Sequence, residues 1–185
     1  MAVETYKGVH TTCTAIAERI LEVGFLPSSE DRYVGAGVYF FDKAKRGIRN
    51  TKKYQKLRQK RKECPEDDKG VLLCADITCD KDYILDLEEG EHSQPFYDFI
   101  KKKREYVENE LSLSIQDEEE RKKERDSALN GYRFEYVKGL EEILHIKYDM
   151  VKIAMPYIQK AYGSGFVVYR TDCIGHVSFC EGKTV

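Results

Sequence analysis

Residues 4–12 carry the apolar and polar pattern of a first strand. From Thr14 to Val23 the apolar positions Ile16, Ala17, Ile20, Leu21 and Val23 fall close to one helical stripe. Thr14 suits the N-cap of that helix, and Gly24 stands where a left-handed residue commonly ends one. Leu26-Pro27-Ser28-Ser29 opens a polar loop, and Val38–Phe41 read as the second strand. Asp42 can cap a basic helix running from about Lys43 to Lys62, and 64–70 is a turn. Residues 70–77 form an almost continuous apolar run of strand length, which predicts a central strand buried on both faces. A short strand at 83–87 follows, then a helical, heavily charged stretch from about 96 to 148, and two closing strands at 151–157 and 165–170. That order predicts one α+β domain over 1–185.

Composition adds a division of charge. Apolar residues make up 41% and charged residues 35% of the 185 positions, and the excess charge sits in the helical stretches. Lys43 to Lys62 holds eleven lysines and arginines and no acid; taking those from a net charge of −2 leaves −13 on the rest. Asp117 to Arg125 is nine charges in a row. No apolar run has the roughly 18 residues of a membrane span, and no signal-peptide core is expected at the N-terminus. The six cysteines do not read as a disulfide framework. Cys74 and Cys79 fall in or beside an apolar strand as free thiols, which predicts a reducing, cytoplasmic setting.

Two motifs stand thirty residues apart. The first is Tyr6-Lys7-Gly8-Val9-His10-Thr11-Thr12, a strand ending in a histidine and two hydroxyls. The second is Gly35-Ala36-Gly37-Val38-Tyr39-Phe40-Phe41-Asp42, a glycine turn running into an aromatic strand. Each has a plain structural explanation when taken singly: a satisfied strand histidine, a core tyrosine, a lone G-x-G. In this order, followed by Gly70-Val71-Leu72-Leu73, they resemble the nicotinamide-binding half of the ADP-ribosyltransferase fold. The similarity is to its poly(ADP-ribose) polymerase-like, H-Y-type branch, which reads H-G-T/S on its first strand and G-x-G-I/V-Y-F on its second. It covers about the first 90 residues.

The resemblance implies a split, mostly antiparallel sheet with a charged helical insertion at about 96–148, and NAD as substrate. It gives His10 the adenosine ribose, the Thr11 backbone and the Thr12 hydroxyl the carboxamide, and Tyr39 the face of the nicotinamide ring. Gly35 and Gly37 would allow the close turn. Thr11 replaces the family's glycine, so its side chain must point away from the ligand. The family's second stacking tyrosine falls at Asn50, which makes Tyr54 the candidate, and Lys45, Arg46 and Arg49 are placed to meet the pyrophosphate. Active members carry a glutamate on the last strand, in a pattern close to E-Y-I-V-Y. Here Ser164-Gly165-Phe166-Val167-Val168-Tyr169-Arg170 puts Gly165 at that place. Glu181 is the acid assigned beside His10 and Tyr39 in the catalytic set. Glu135, in a short echo of the motif, is the other acid considered, and Asp172 also flanks the last strand. The bland reading of each is a surface carboxylate.

The expected function is therefore transfer of ADP-ribose from NAD to a macromolecule, with release of nicotinamide, as in compact toxin-like members of the fold. Lys52, Lys53, Lys56, Arg58 and Arg61 lie beyond a small ligand's reach and suit an RNA or DNA acceptor. The alternative to that contact is a solvated basic helix answering the acidic one at 117–126. The alternative to catalysis is a binding module for NAD, ADP-ribose or nucleic acid. A third reading uses the helical insertion as a protein-binding surface. Cys173-x-x-His176-x-x-x-Cys180 lacks a paired second cluster, so no metal site is assigned.

Overall fold

The computed structural model describes residues 2–29, 32–48, 69–158 and 161–180, with backbone alone at 156–158 and 161–162. The strands are β1 (Val3–Cys13), β2 (Val38–Phe41), β3 (Gly70–Asp80), β4 (Ile84–Asp86), β5 (Met150–Ile158), β6 (Ala161–Val168) and β7 (Ile174–Phe179). The helices are α1 (Thr14–Val23), α2, described over 44–48, α3 (Ser93–Ser114) and α4 (Glu118–Leu144). The fold is α+β. Among the described residues seven strands make one open sheet in the order β4-β5-β6-β2-β1-β3-β7, antiparallel throughout except for the parallel β4–β5 pair.

Strand alternation divides the core into two layers. Val38, Phe40, Leu73, Ala75, Ile77, Met150, Phe166 and Val168 form one layer with Ala17 of α1 and Phe25 beyond it. Phe41, Leu85, Leu87, Val151, Ile153, Met155 and Val167 form the other, beneath Phe96 and Ile100 of α3 and Leu129 and Val137 of α4. Val71, Leu72 and Leu73 are all buried, which is why that run reads as continuous rather than alternating.

The charged stretch is a helical hairpin. Asp117 caps α4 by accepting the Glu120 N–H at 2.7 Å, and Glu118, Glu119 and Glu120 follow in the first turn, where acids suit the helix dipole. The buried positions of α4 are Leu129, Arg133, Val137 and Glu141, spaced by four and half of them charged. Arg133 lies 4.1 Å over the Tyr33 ring and donates to Asn130. Glu141 takes the Lys138 ammonium at 2.7 Å and the Tyr148 N–H at 3.0 Å, tying the helix end to the start of β5.

Three local expectations need correction. Thr14 is the first helical residue, after Cys13 at the N-cap, and its hydroxyl donates to the Lys69 carbonyl. The strand at 165–170 is not the last: β7 pairs with β3 beyond it. Cys74 is not a free thiol but is bonded to Cys180, which fastens β3 to the residue after β7. Cys79 and Cys173 are free and buried, and Cys13 is also buried. Gly24 ends α1 with φ 83 and an N–H bond to Ile20, as the sequence predicts. No described helix is long and apolar enough to cross a membrane.

Candidate functional site

The two motif strands are antiparallel neighbours in the middle of the sheet, with Val9 opposite Phe41. Their key side chains turn to different layers. His10 is half-buried; its ring packs against Phe25 at 5.1 Å and Phe40 at 5.8 Å, and its Nδ1 lies 2.9 Å from the Tyr39 carbonyl oxygen. Tyr39 faces the hairpin layer. Its hydroxyl donates to the Gly35 carbonyl at 2.7 Å and accepts the Val34 N–H at 3.0 Å. Tyr169 donates to the Val34 carbonyl at 2.7 Å, so two tyrosines hold the turn that contains Gly35. Burial pushes the Tyr169 phenol far up, with the neighbouring Tyr39 phenol adding to it. Gly35 has φ +86, and a Cβ there would fall 2.3 Å from the Phe134 ring. Gly37 is needed for closeness instead: a Cβ would meet Val167 at 2.7 Å.

Thr11 is buried on the opposite face from His10 and donates to the Gly47 carbonyl at 3.3 Å. A Cβ on Gly47 would lie 3.0 Å from both Val9 and Leu72, so α2 rests directly on β1 and β3. The face shared by Thr11 and Tyr39 is thus closed by the first turn of α2. Thr12 is 2% exposed, and its hydroxyl meets no hydrogen-bond partner among the described residues.

At the far end of β2 and the near end of β6 lies a polar cluster that the motifs do not announce. Arg46 is paired with Asp42 and donates to the Ser164 carbonyl at 3.2 Å, its side chain lying across Gly163. The Ser164 hydroxyl donates to Glu88 Oε2 at 2.5 Å. Lys152 pairs with Asp86 at 2.9 Å and lies 3.7 Å from Glu89. Ser164 therefore joins two segments, holding the start of α2 by its carbonyl and the chain after β4 by its hydroxyl.

Burial raises the Glu88 carboxyl above its usual range, and the charges of Asp86 and Asp42 add to this against the hydrogen bond from Ser164 and the charge of Lys152. Burial also works on Asp86, but the N–H of Glu89, the Lys152 ammonium and the N–H of Glu88 outweigh it and hold that carboxyl low. Lys152 is raised: its burial is overcome by Asp86, Glu89 and Glu88.

Gly165 faces the hairpin layer, opposite Phe41 and Ile153. A Cβ there would fall 2.0 Å from Met155 Cε and 2.6 Å from the Phe40 carbonyl oxygen. The place where the resemblance sets a glutamate is closed even to a methyl group. Glu135 is exposed on α4, and Asp172 is exposed beside Arg170, which it pairs at 2.9 Å. Arg49, Asn50, Lys52, Lys53, Tyr54, Lys56, Arg58, Arg61 and Glu181 lie outside the described residues. Cys173 is buried, His176 is exposed with φ 48, and no group of three metal-ligating side chains occurs among the described residues.

Asp86 and Glu88 were legible to the extent that extending the period of the short strand by one residue puts both on one side, with Leu85 and Leu87 on the other. Nothing in the sequence pairs them with Ser164. No family model matches the chain, and neither does a curated protein or a solved structure at a significant level.

Proposed function

We propose that the chain binds NAD and transfers its ADP-ribose to a macromolecular acceptor, releasing nicotinamide. The observation that carries this reading is the adjacency of the two motif strands beneath the start of the basic helix, although the Thr11 side chain, expected to point away from the ligand, instead shares the face of Tyr39. Tyr39 offers a ring for stacking, fixed through its hydroxyl. Lys45 is exposed on α2. Because Gly47 rests on Thr11, a nicotinamide ring enters there only when the 44–48 turn lifts. The finer fold, a split ADP-ribosyltransferase sheet, and the nucleic-acid acceptor met by the basic segment belong to the same proposal. So does a cytoplasmic setting, in which Cys74 and Cys180 would be thiols.

The second reading is a binding module of the same fold without catalysis, and the steric closure at Gly165 favours it. One experiment separates the two. The protein is incubated with NAD and with RNA, DNA or cell lysate, while free nicotinamide and the NAD-induced shift in thermal midpoint are measured together. Acceptor-dependent release that Tyr39→Phe retains and Tyr39→Leu loses supports the transferase. A thermal shift without release identifies the binding module. Neither signal in the wild-type protein defeats both.

A further inference from the structure

β7 ends the described sheet, and its ladder on β3 is interrupted. Leu73 and Cys74 meet Phe179 and Ser178, a register shift follows, and Asp76 and Ile77 meet Gly175 and Ile174. One end of this strand pair carries the Cys74–Cys180 bond. The other end carries two more sulfurs. Cys79 stands just beyond Ile77 on β3, and Cys173 stands just before Ile174, closing the 3₁₀ turn Thr171–Cys173. Both side chains enter the same core layer, at 1% and 4% exposure, and their thiols are hydrogen-bonded to one another.

A single thiol in such a layer is an inert small hydrophobe. Two features set this pair apart. The exposed Arg170 hydrogen-bonds Cys173 while pairing with Asp149 and Asp172, so a cation stands where an attacking sulfur carries its negative charge. Cys173 also follows the exposed Asp172 in a short turn at the sheet's edge, and it meets solvent when that turn opens. Cys79 has the opposite surroundings. Burial pushes its thiol far up, the Cys173 sulfur and the Asp149 carboxylate add to this, and the Arg170 charge opposes it.

We propose that Cys79 and Cys173 form a redox-active dithiol, which a low-molecular-weight disulfide oxidises to a second bond between β3 and the β6–β7 crossover. Cys173 attacks first. It gives its proton to solvent and bonds to one sulfur of the oxidant, whose S–S bond breaks with its electron pair leaving on the other sulfur as a small thiolate. Cys79 then loses its proton and attacks the Cys173 sulfur, and the second small thiolate departs. The protein gives up two protons and two electrons, and the disulfide is reduced to two thiols. Once made, the bond fixes the start of β7 as Cys74–Cys180 fixes its end.

The probe is glutathione disulfide, added to the folded protein before the remaining thiols are blocked in denaturant and the peptides mapped. A linked pair of peptides holding Cys79 and Cys173 is expected, undone by dithiothreitol, with no glutathione retained on either cysteine. Cys79→Ala removes the resolving thiol, so Cys173 should retain roughly 10-fold more glutathione than in wild type. Cys173→Ala should leave Cys79 unmodified. The wild-type map needs no variant and decides the matter even where either substitution prevents folding. Recovery of Cys79 and Cys173 as free thiols overturns the proposal, as does their linkage to other cysteines. Glutathione on Cys79 in folded Cys173→Ala overturns it too.

Discussion

At Gly165 the obstacle to a side chain is the neighbours rather than the backbone. Gly165→Ala must push aside Met155 or the β2 backbone, and a cost of about 1–3 kcal/mol is expected in urea unfolding. Gly165→Glu should cost more and should not create activity, because the new carboxylate has no room on that face. Glu88 and Asp86 make a pair with opposite pH behaviour. The Glu88 carboxyl is raised above its ordinary 4.5, so between the unfolded and folded values the folded protein holds a proton that the unfolded chain has lost. Stability then falls as pH rises through that window, and the whole cost is present above it. Thermal midpoints should therefore favour Glu88→Gln over wild type at neutral pH, with the gain fading once pH drops below 4.5. Asp86 is held below its ordinary 3.8, so it contributes stability above that value and loses it as pH falls through its lower folded value. Asp86→Asn should be the less stable protein at neutral pH and should converge on wild type in strong acid.

Among the elements, α4 is the one whose sequence hides its inward face. Arg133 and Glu141 sit where apolar residues are expected, so the stripe is legible only once the Tyr33 ring and the Tyr148 N–H are known to receive them. Gly131 and Gly139 lie within the same helix, and a Cβ at either meets nothing within 4 Å. Gly131→Ala and Gly139→Ala should each stabilise the protein by about 0.5–1 kcal/mol, measured by chemical denaturation. β1, β2 and β3 were readable because burial leaves period-two or continuous apolar runs. β7 was not: Ile174, Val177 and Phe179 do not alternate, and His176 takes a positive φ in the middle. The motif residues were correct as strand positions, but a motif read as a string cannot say that neighbouring strands turn His10 and Tyr39 to opposite layers. Glu88 escaped for another reason, since its partner stands 76 residues away.

For the molecule as a whole, the Cys74–Cys180 bond closes a separation of 106 residues around most of the sheet and the helical hairpin. Loop-closure entropy puts such a link at up to about 5 kcal/mol, and about 2–5 kcal/mol should be lost in urea when reductant is added or Cys180→Ser is made. Thiol titration of the unreduced, denatured chain should find at least two fewer thiols than cysteines. Equal stability with and without reductant would show that the bond does not persist in solution.

β2 carries one more consequence, which concerns the chain before it is finished. Val38–Phe41 has β1 on one side, already made, but on the other it waits for β6, with Phe41 meeting Gly165. At bacterial-to-eukaryotic synthesis speeds, roughly 6–25 s separate the emergence of those two residues from the ribosome. Throughout that interval a nascent strand of one valine, one tyrosine and two phenylalanines presents an open edge, and it is there that a ribosome-bound chaperone would have most to protect.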